Sequence, residues 1–512
     1  MGEGIVKFYQ DRIDRRYKIA FWWTFAICLL VHIYKFTNTL PNHDSYFNVY
    51  SNQDMTISGR WFLSLACGVS SYFDLPWVNG LLCAVYLGIT AALIAAVLDI
   101  HNPIVIALTG AIIAACPSTT ETFFFEFTAD GYLMGLMLSA AAACLSCKGK
   151  NWRCFVLSGV CCCLSCAIYQ AYISFAVVLC IFYLINCLIN EEMTIRQAWR
   201  WIGKHILIYG AALATYYAVW KLVLMVTGQE AVDYQGINTV GQVGISTILS
   251  GAIKSVTNLI LLFLEWNVLE HPITLYGVLN IVFIICFAVI LAVVLIKSKV
   301  YQNAGRLLMI LFCLVMSIPA ISVWNFVSDS VEYRPMMLHS AALLYVYGLV
   351  LCDNWVKPRQ STVFGLFMTV MVLNFSVMAN ISYFYLDKCY EKTYYMGSRM
   401  MERIEEMNAE HTVSGIAFLG NRVEDVAITP GFPGNRIHLL SSKIEQDFLY
   451  DHVHAHLFLH NALGLELPGV TSAQMKELER SPAVQEMGVW PSEDSVAVID
   501  DVLVIKLAND VE

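Results

Sequence analysis

Apolar runs of bilayer-spanning length recur through the first three quarters of this chain, and they decide what it can fold into. A helix needs roughly 20 mostly apolar residues to cross the hydrocarbon core. Eleven stretches approach that length: 19–38, 77–98, 103–116, 131–147, 154–169, 171–190, 205–227, 271–296, 307–326, 336–352 and 361–385. A twelfth, 245–264, contains Lys254 and reads as an interfacial or re-entrant helix. Composition agrees. Of 512 residues, 58% are hydrophobic and 14% charged, with a mean hydropathy of +0.60, whereas a soluble domain carries ~25% charged residues. The expected fold class is an all-α polytopic membrane protein of about eleven transmembrane helices.

Lys and Arg set the orientation. One set of loops holds Lys7, Arg12, Arg15, Arg16 and Lys18, then Lys148, Lys150 and Arg153, then Arg196, Arg200 and Lys204, then Lys297, Lys299 and Arg306, then Lys357 and Arg359. The alternate loops hold Arg60, Lys254 and Arg334. This bias puts the N-terminus in the cytoplasm and the tail outside. The first run follows a basic segment and lacks a small-residue cleavage site, so it reads as a retained signal anchor. A formal net charge of -9 with no concentrated basic patch argues against nucleic-acid binding. Most of the 17 cysteines lie inside apolar runs, as packing residues rather than a disulfide framework.

After residue 385 the chain changes character. Residues 391–410 read as an amphipathic helix, followed by the segment Gly415–Gly420 (GIAFLG), a turn at Pro430–Gly434, a helical stretch near 443–461, and strand-like runs at 495–499 and 502–507. The expected division is a transmembrane domain over 1–385 and a small extracytoplasmic α/β domain over 386–512. No internal repeat is visible.

The outward loops carry the candidate chemistry. The first reads Asn42-His43-Asp44-Ser45 and runs through Asp54 to Arg60-Trp61. The second holds Glu121, Glu126, Asp130 and Tyr132, the third is Tyr169-Gln170-Ala171-Tyr172, and a later one holds Asp329, Glu332, Tyr333 and Arg334. Charged groups near membrane depth are expensive and tend to be functional. An arginine offers a phosphate planar, bidentate donors, and a carboxylate can take the proton of an attacking hydroxyl. Transfer of a sugar from a lipid phosphate needs both. Glu126 and Asp130, four apart, share a helix face and are expected at an acceptor site. Alternatively, Asp130 caps the helix expected to begin at Gly131.

The stretch Asn42–Trp61, the segment Phe127–Tyr132, the turn Tyr169–Tyr172 and the ending Val489–Lys506 together resemble the Gtr type II family of bacterial glucosyltransferases. The resemblance runs over essentially the whole chain. It implies a GT-C-like glycosyltransferase of the bacterial cytoplasmic membrane, using a polyprenyl-phosphate sugar at the outer face. The acceptor would be a surface polysaccharide such as O-antigen, or a lipid-linked acceptor. It implies an acidic residue just after the first span, the position of Asp44, with Asp54 as runner-up catalytic residue. His43, Arg60, Trp61, Glu126, Asp130, Tyr169, Gln170, Tyr172, Glu332, Tyr333 and Arg334 are the expected substrate-binding set. A donor synthase and a flippase are the implied partners, and no cofactor or metal is expected. The alternative, a flippase or transporter of lipid-linked sugars, predicts charged residues within spans, paired broken helices and repeat symmetry; neither a repeat nor a mid-span carboxylate row is visible.

Other signals read as structural. His452, His456 and His460 share one helix face but match no metal signature. Phe123, Phe124 and Phe125 read as interfacial anchors. Lys221 reads as snorkelling.

Overall fold

The computed structural model describes residues 13–68, 72–232, 244–264, 274–326, 331, 333–420 and 448–509. Among the described residues, twelve longer helices build the membrane part. They are α1 (Arg15–Thr37), α2 (Pro76–Val97), α3 (Pro103–Ala115), α4 (Glu126–Lys148), α5 (Trp152–Ile168), α6 (Ile173–Ile189), α7 (Ile195–Thr227), α8 (Ile245–Leu264), α9 (Leu275–Lys297), α10 (Ala304–Ile321), α11 (Ala342–Trp355) and α12 (Pro358–Glu410). Among the described residues, nine helices are long and apolar enough to cross a membrane. Eight of them are expected spans, and the ninth lies within 245–264.

Three expected spans are shorter as helices. Helix α3 stops at Ala115 because Pro117 follows, starting a separate turn of helix, Pro117–Thr122. Helix α5 has 17 residues. The run 336–352 enters through two 3₁₀ turns, Pro335–Met337 and His339–Ala341, before α11 begins.

Helix α8 is placed by its contacts. The short turn 298–303 joins α9 to α10, so the start of α9 and the end of α10 lie at one end of the bundle. Ser255 of α8 accepts a hydrogen bond from Asn325, just past α10, at 3.3 Å. Leu262, seven residues on, accepts one from Tyr276 in the first turn of α9 at 2.5 Å. Both contacts fall at the same end of the bundle.

The core is continuous from α1 through α12. Phe123, Phe124 and Phe125 belong to it, which corrects their reading as interfacial anchors. Phe123 packs against His32 and Phe36 at ring distances of 4.6 and 5.0 Å, and Phe124 lies 5.9 Å from Tyr383. The turns around Pro117 fold this segment inward instead of leaving it at the lipid headgroups.

Helix α12 is 53 residues long, or about 80 Å at 1.5 Å per residue, well beyond a hydrocarbon core of ~30 Å. The boundary expected after residue 385 falls inside it. Its buried residues after that point, Leu386, Cys389, Thr393, Met396, Gly397, Met400 and Ile404, keep three-four spacing, as the amphipathic reading of 391–410 requires. That face meets α13 (His452–Leu463). A Cβ on Gly397 would stand 2.8 Å from Leu463, so glycine is what lets the helices close. The tail also holds a three-stranded sheet of order β1-β3-β2, from β1 (Gly415–Leu419), β2 (Val496–Ile499) and β3 (Val502–Lys506). β1 pairs parallel with β3, and β2 pairs antiparallel with β3. Asp500 and Asp501 turn the β2–β3 hairpin with positive φ at both positions, the backbone a two-residue hairpin turn demands. The turn expected at Pro430–Gly434 lies outside the described residues.

Candidate active site

The loop after α1 leaves the bundle at Lys35. Its Nζ donates to the Leu40 carbonyl at 2.7 Å and to Glu126 Oε2 at 2.6 Å. Both charged side chains are buried. This ion pair ties the end of α1 to the first turn of α4 and fixes where the loop begins. Asn79 of α2 adds a hydrogen bond to the Glu126 carbonyl at 3.1 Å.

Nine residues past Lys35 stands Asp44. Its backbone N–H is held by Asn42 Oδ1 at 3.0 Å. Its carboxylate lies 3.3 Å from His43 Nε2 and 3.5 Å from His454 Nε2 on α13. His454 Nδ1 in turn lies 2.9 Å from Asp451 Oδ1, and the ring stacks on Phe47 and tilts over Tyr450, 5.8 and 4.3 Å away. Asn461 of α13 also donates to the Tyr46 carbonyl at 3.0 Å, and Tyr46 meets Phe458 edge-on. The small domain thus docks onto the Asp44 loop.

Burial opposes ionisation of Asp44, but the hydrogen bonds and charges of His43 and His454 override it and hold the carboxyl well below the usual carboxylate range. Burial likewise opposes charge on His454. Its two carboxylate partners, Asp44 and Asp451, lift it to about 9. The imidazolium and carboxylate therefore coexist at neutral pH.

The signs of these shifts predict a pH dependence. The His454 contribution to docking is fully present below its ordinary 6.5 and is lost as pH rises through about 9. The Asp44 contribution is present above its ordinary 3.8 and is lost as pH falls below it. Limited proteolysis should show cutting between α12 and α13 accelerating as pH passes about 9 in the native protein. His454→Gln should cut fast at every pH. An unchanged pH profile in His454→Gln would show that the contact does not hold the domain.

A second group lies at the same end. Arg60 Nη1 donates to Tyr132 Oη at 2.9 Å, and the guanidinium sits 4.9 Å from the centre of the Tyr169 ring. Tyr132 and Tyr169 stack at 4.9 Å, and Tyr172 meets Tyr169 edge-on at 5.3 Å. Gln170 Nε2 donates to the Ser58 carbonyl at 2.9 Å, which locks the third outward turn to the first. Trp61 packs edge-on against Phe62 at 6.0 Å. In the fourth loop, Met336 N–H donates to Glu121 Oε2, bringing Arg334 to the Glu121 end of the bundle. Arg334 is half-buried beside Ser322, Trp324 and Met337, and Tyr333 packs partly buried against the core. Glu332 lies outside the described residues.

The two expected acceptor-side carboxylates are buried and engaged by their neighbours. Glu126 is 5% exposed and Asp130 1% exposed, so neither faces an open surface. Glu126 is engaged by Lys35, and Asp130 accepts the N–H of Gly131 at 2.9 Å. The capping alternative for Asp130 also falls, because α4 begins at Glu126 and places Asp130 a turn inside it. Asp54 is exposed, and its carboxylate accepts from Thr56 N at 3.0 Å, bracing a 3₁₀ turn.

Four residues that the sequence reading passed over belong here: Lys35, Asp74, Asp451 and His454. Lys35 hides in an apolar span, although its charge was a signal. Asp74 precedes α2. Burial and the Glu126 charge push it up to about 6 against the opposing pull of Lys35. The histidine run pointed to the wrong face. His452 accepts from Phe418 N, and the His456 and His460 rings bond the carbonyls of Leu467 and Leu465. These three are structural, as expected, and His454, off their face, reaches Asp44.

The fold and the gathered groups define a polytopic membrane protein whose polar residues collect at one end of a helical bundle, beneath a small α/β domain. The chain belongs to the family described as glucosyl transferase GtrII, which matches residues 33–390. That family makes it a membrane glycosyltransferase. The match takes in Asp44, Arg60, the tyrosines and Arg334, and ends within α12 before the residues that bear His454. No curated protein and no solved structure matches the chain.

Proposed function

We propose that the chain moves a hexose, glucose by its family, from a polyprenyl-phosphate donor to a surface polysaccharide such as O-antigen, with inversion. We place the reaction at the outer face of the bacterial cytoplasmic membrane, with the N-terminus inside, residues 1–385 catalytic, and residues 386–512 covering the site from outside. The observation that carries this reading is Asp44, a carboxylate at the mouth of α1 held between His43 and His454, at the same end of the bundle as Arg60, the stacked tyrosines and Arg334.

In the proposed step the acceptor oxygen bonds to the anomeric carbon, and the bond from that carbon to the phosphate oxygen breaks. Polyprenyl phosphate leaves, and the acceptor proton passes to Asp44. A carboxylate held this far down is a weak base. It receives the proton late, once the acceptor oxygen is partly bonded and has become acidic. The guanidinium of Arg334 meets the charge that grows on the departing phosphate, with Arg60 in support. Tyr132, Tyr169 and Tyr172 are buried and hold the Arg60 guanidinium in place from behind, through the Tyr132 hydroxyl and the Tyr169 ring. A donor synthase and a flippase would supply the lipid donor. A second reading makes Asp74 the base, because its pKa of about 6 suits proton transfer near neutrality.

Sidedness tests the proposal. Right-side-out vesicles loaded with radiolabelled polyprenyl-phosphate glucose should label an acceptor supplied outside, and a reporter fused after residue 464 should be active outside. Labelling only of acceptor enclosed inside, or a cytoplasmic reporter, overturns it.

A further inference from the structure

Cys147 lies in the last turn of α4, roughly 30 Å along the helix from Glu126 and so at the end of the bundle opposite Asp44. Three side chains with no part in the proposed reaction meet there, one from each of three helices. Cys147 Sγ is 3.5 Å from Cys180 Sγ on α6. An imidazole nitrogen of His205 on α7 completes a group whose ligand atoms all lie within 4.8 Å of one another.

The state of His205 is fixed by its neighbour. Nδ1 lies 2.9 Å from the Trp201 carbonyl. A carbonyl only accepts, so Nδ1 carries the hydrogen and Nε2 carries the lone pair. The residue is 5% exposed, and the side chain its ring meets is Cys180. A backbone carbonyl on one ring nitrogen and a presented lone pair on the other is how a metal-binding histidine is oriented. The Trp201 ring, 3.6 Å away, holds the imidazole in place.

We propose that Cys147, Cys180 and His205 form a buried Cys₂His zinc site that ties α4, α6 and α7 together. Two thiolates bound to one tetrahedral zinc at ~2.3 Å stand ~3.7 Å apart, close to the spacing here. Sulfur and imidazole ligands select a thiophilic ion over calcium or magnesium. Charge narrows the choice further. A dication with two thiolates and a neutral imidazole sums to zero, the form that burial penalises least. A monovalent ion would leave a buried negative charge. Tyr209 Oη, 3.3 Å from Cys180 Sγ and 3.1 Å from Ser146 Oγ, stands beside the fourth position, which it or a water fills. Binding is an exchange in which zinc enters and one proton leaves each thiol, with no change in oxidation state.

The test is metal content of the full chain, purified in detergent with its affinity tag removed and dialysed against EDTA. Close to one zinc per chain is expected. Cys180→Ser and His205→Gln should each fall below a tenth of that, while Cys161→Ser, on α5 outside the cluster, keeps it. Cobalt exchanged into the native protein should give a thiolate-to-cobalt charge-transfer band, a readout that does not depend on any variant folding. Less than a tenth of an equivalent of zinc with no cobalt band would show a mere chain of hydrogen-bonded thiols and overturn the site. So would full zinc retention in Cys180→Ser.

Discussion

Asp44→Asn should fold, bind the lipid donor, and transfer sugar some ~10²–10⁴-fold more slowly than the native enzyme, the usual worth of a positioned base. The amide keeps the shape of the carboxylate and can still hydrogen-bond His43. It cannot take the acceptor's proton. It also removes one of the two charges that lift His454, so the basic limb of domain docking should move down from about 9. Initial rates at saturating donor, beside donor binding measured separately, distinguish this from loss of structure. Asp74→Asn and Asp54→Asn belong in the same experiment. Asp74 is the competing base, and a dead Asp74→Asn beside an active Asp44→Asn moves the role there. Asp54 is exposed and braces a turn, so its amide should remain active.

The second large effect is on folding. Lys35→Met should destabilise the protein by about 3–5 kcal/mol, the cost of leaving a buried charge without its partner. Glu126 Oε1 already lacks a hydrogen-bond partner among the described residues, so without Lys35 the Glu126 carboxylate has little to offset its burial. Glu126→Gln should cost a similar amount through the stranded ammonium. The double variant Lys35→Met/Glu126→Leu should recover most of the loss, because apolar replacement of a whole buried pair is often neutral. Thermal unfolding in detergent of the two single variants and the double variant measures the coupling. If the single losses simply added in the double variant, the pair would not act as a unit. Activity should follow stability here, since the pair fixes where the Asp44 loop leaves α1.

Much of this architecture was legible because one-dimensional signals survive folding. Apolar length marked the spans. Alternating runs marked β2 and β3, and the three-four spacing of 391–410 marked the docking face of α12. The position of Asp44 near the exit of α1 follows from chain geometry, whereas its proposed role came from the family resemblance. What escaped was tertiary. Lys35 and Glu126 are 91 residues apart; Lys35 stands inside an apolar run, and Glu126 was expected at an acceptor site rather than in a buried ion pair. His454 meets Asp44 across 410 positions, and no local pattern predicts that contact. The histidine run was conspicuous for its period, yet that period only faces His452, His456 and His460 toward backbone groups of their own domain. Asp130 was misread as a possible cap because the hydrophobic pattern of the fourth span starts after it, whereas the helix itself begins with polar residues at Glu126. The aromatic triplet at 123–125 looked interfacial by composition, but the break at Pro117 folds it inward.

The most direct measurement of the central claim is a donor panel with the purified, reconstituted protein. Polyprenyl-phosphate glucose and other polyprenyl-phosphate hexoses are offered beside nucleotide-activated glucose, with transfer to a polysaccharide acceptor followed by release of polyprenyl phosphate. The account predicts transfer from polyprenyl-phosphate glucose, none from the nucleotide sugar, and loss of that transfer in Asp44→Asn. Transfer from the nucleotide sugar alone, or equal turnover by Asp44→Asn, would contradict it.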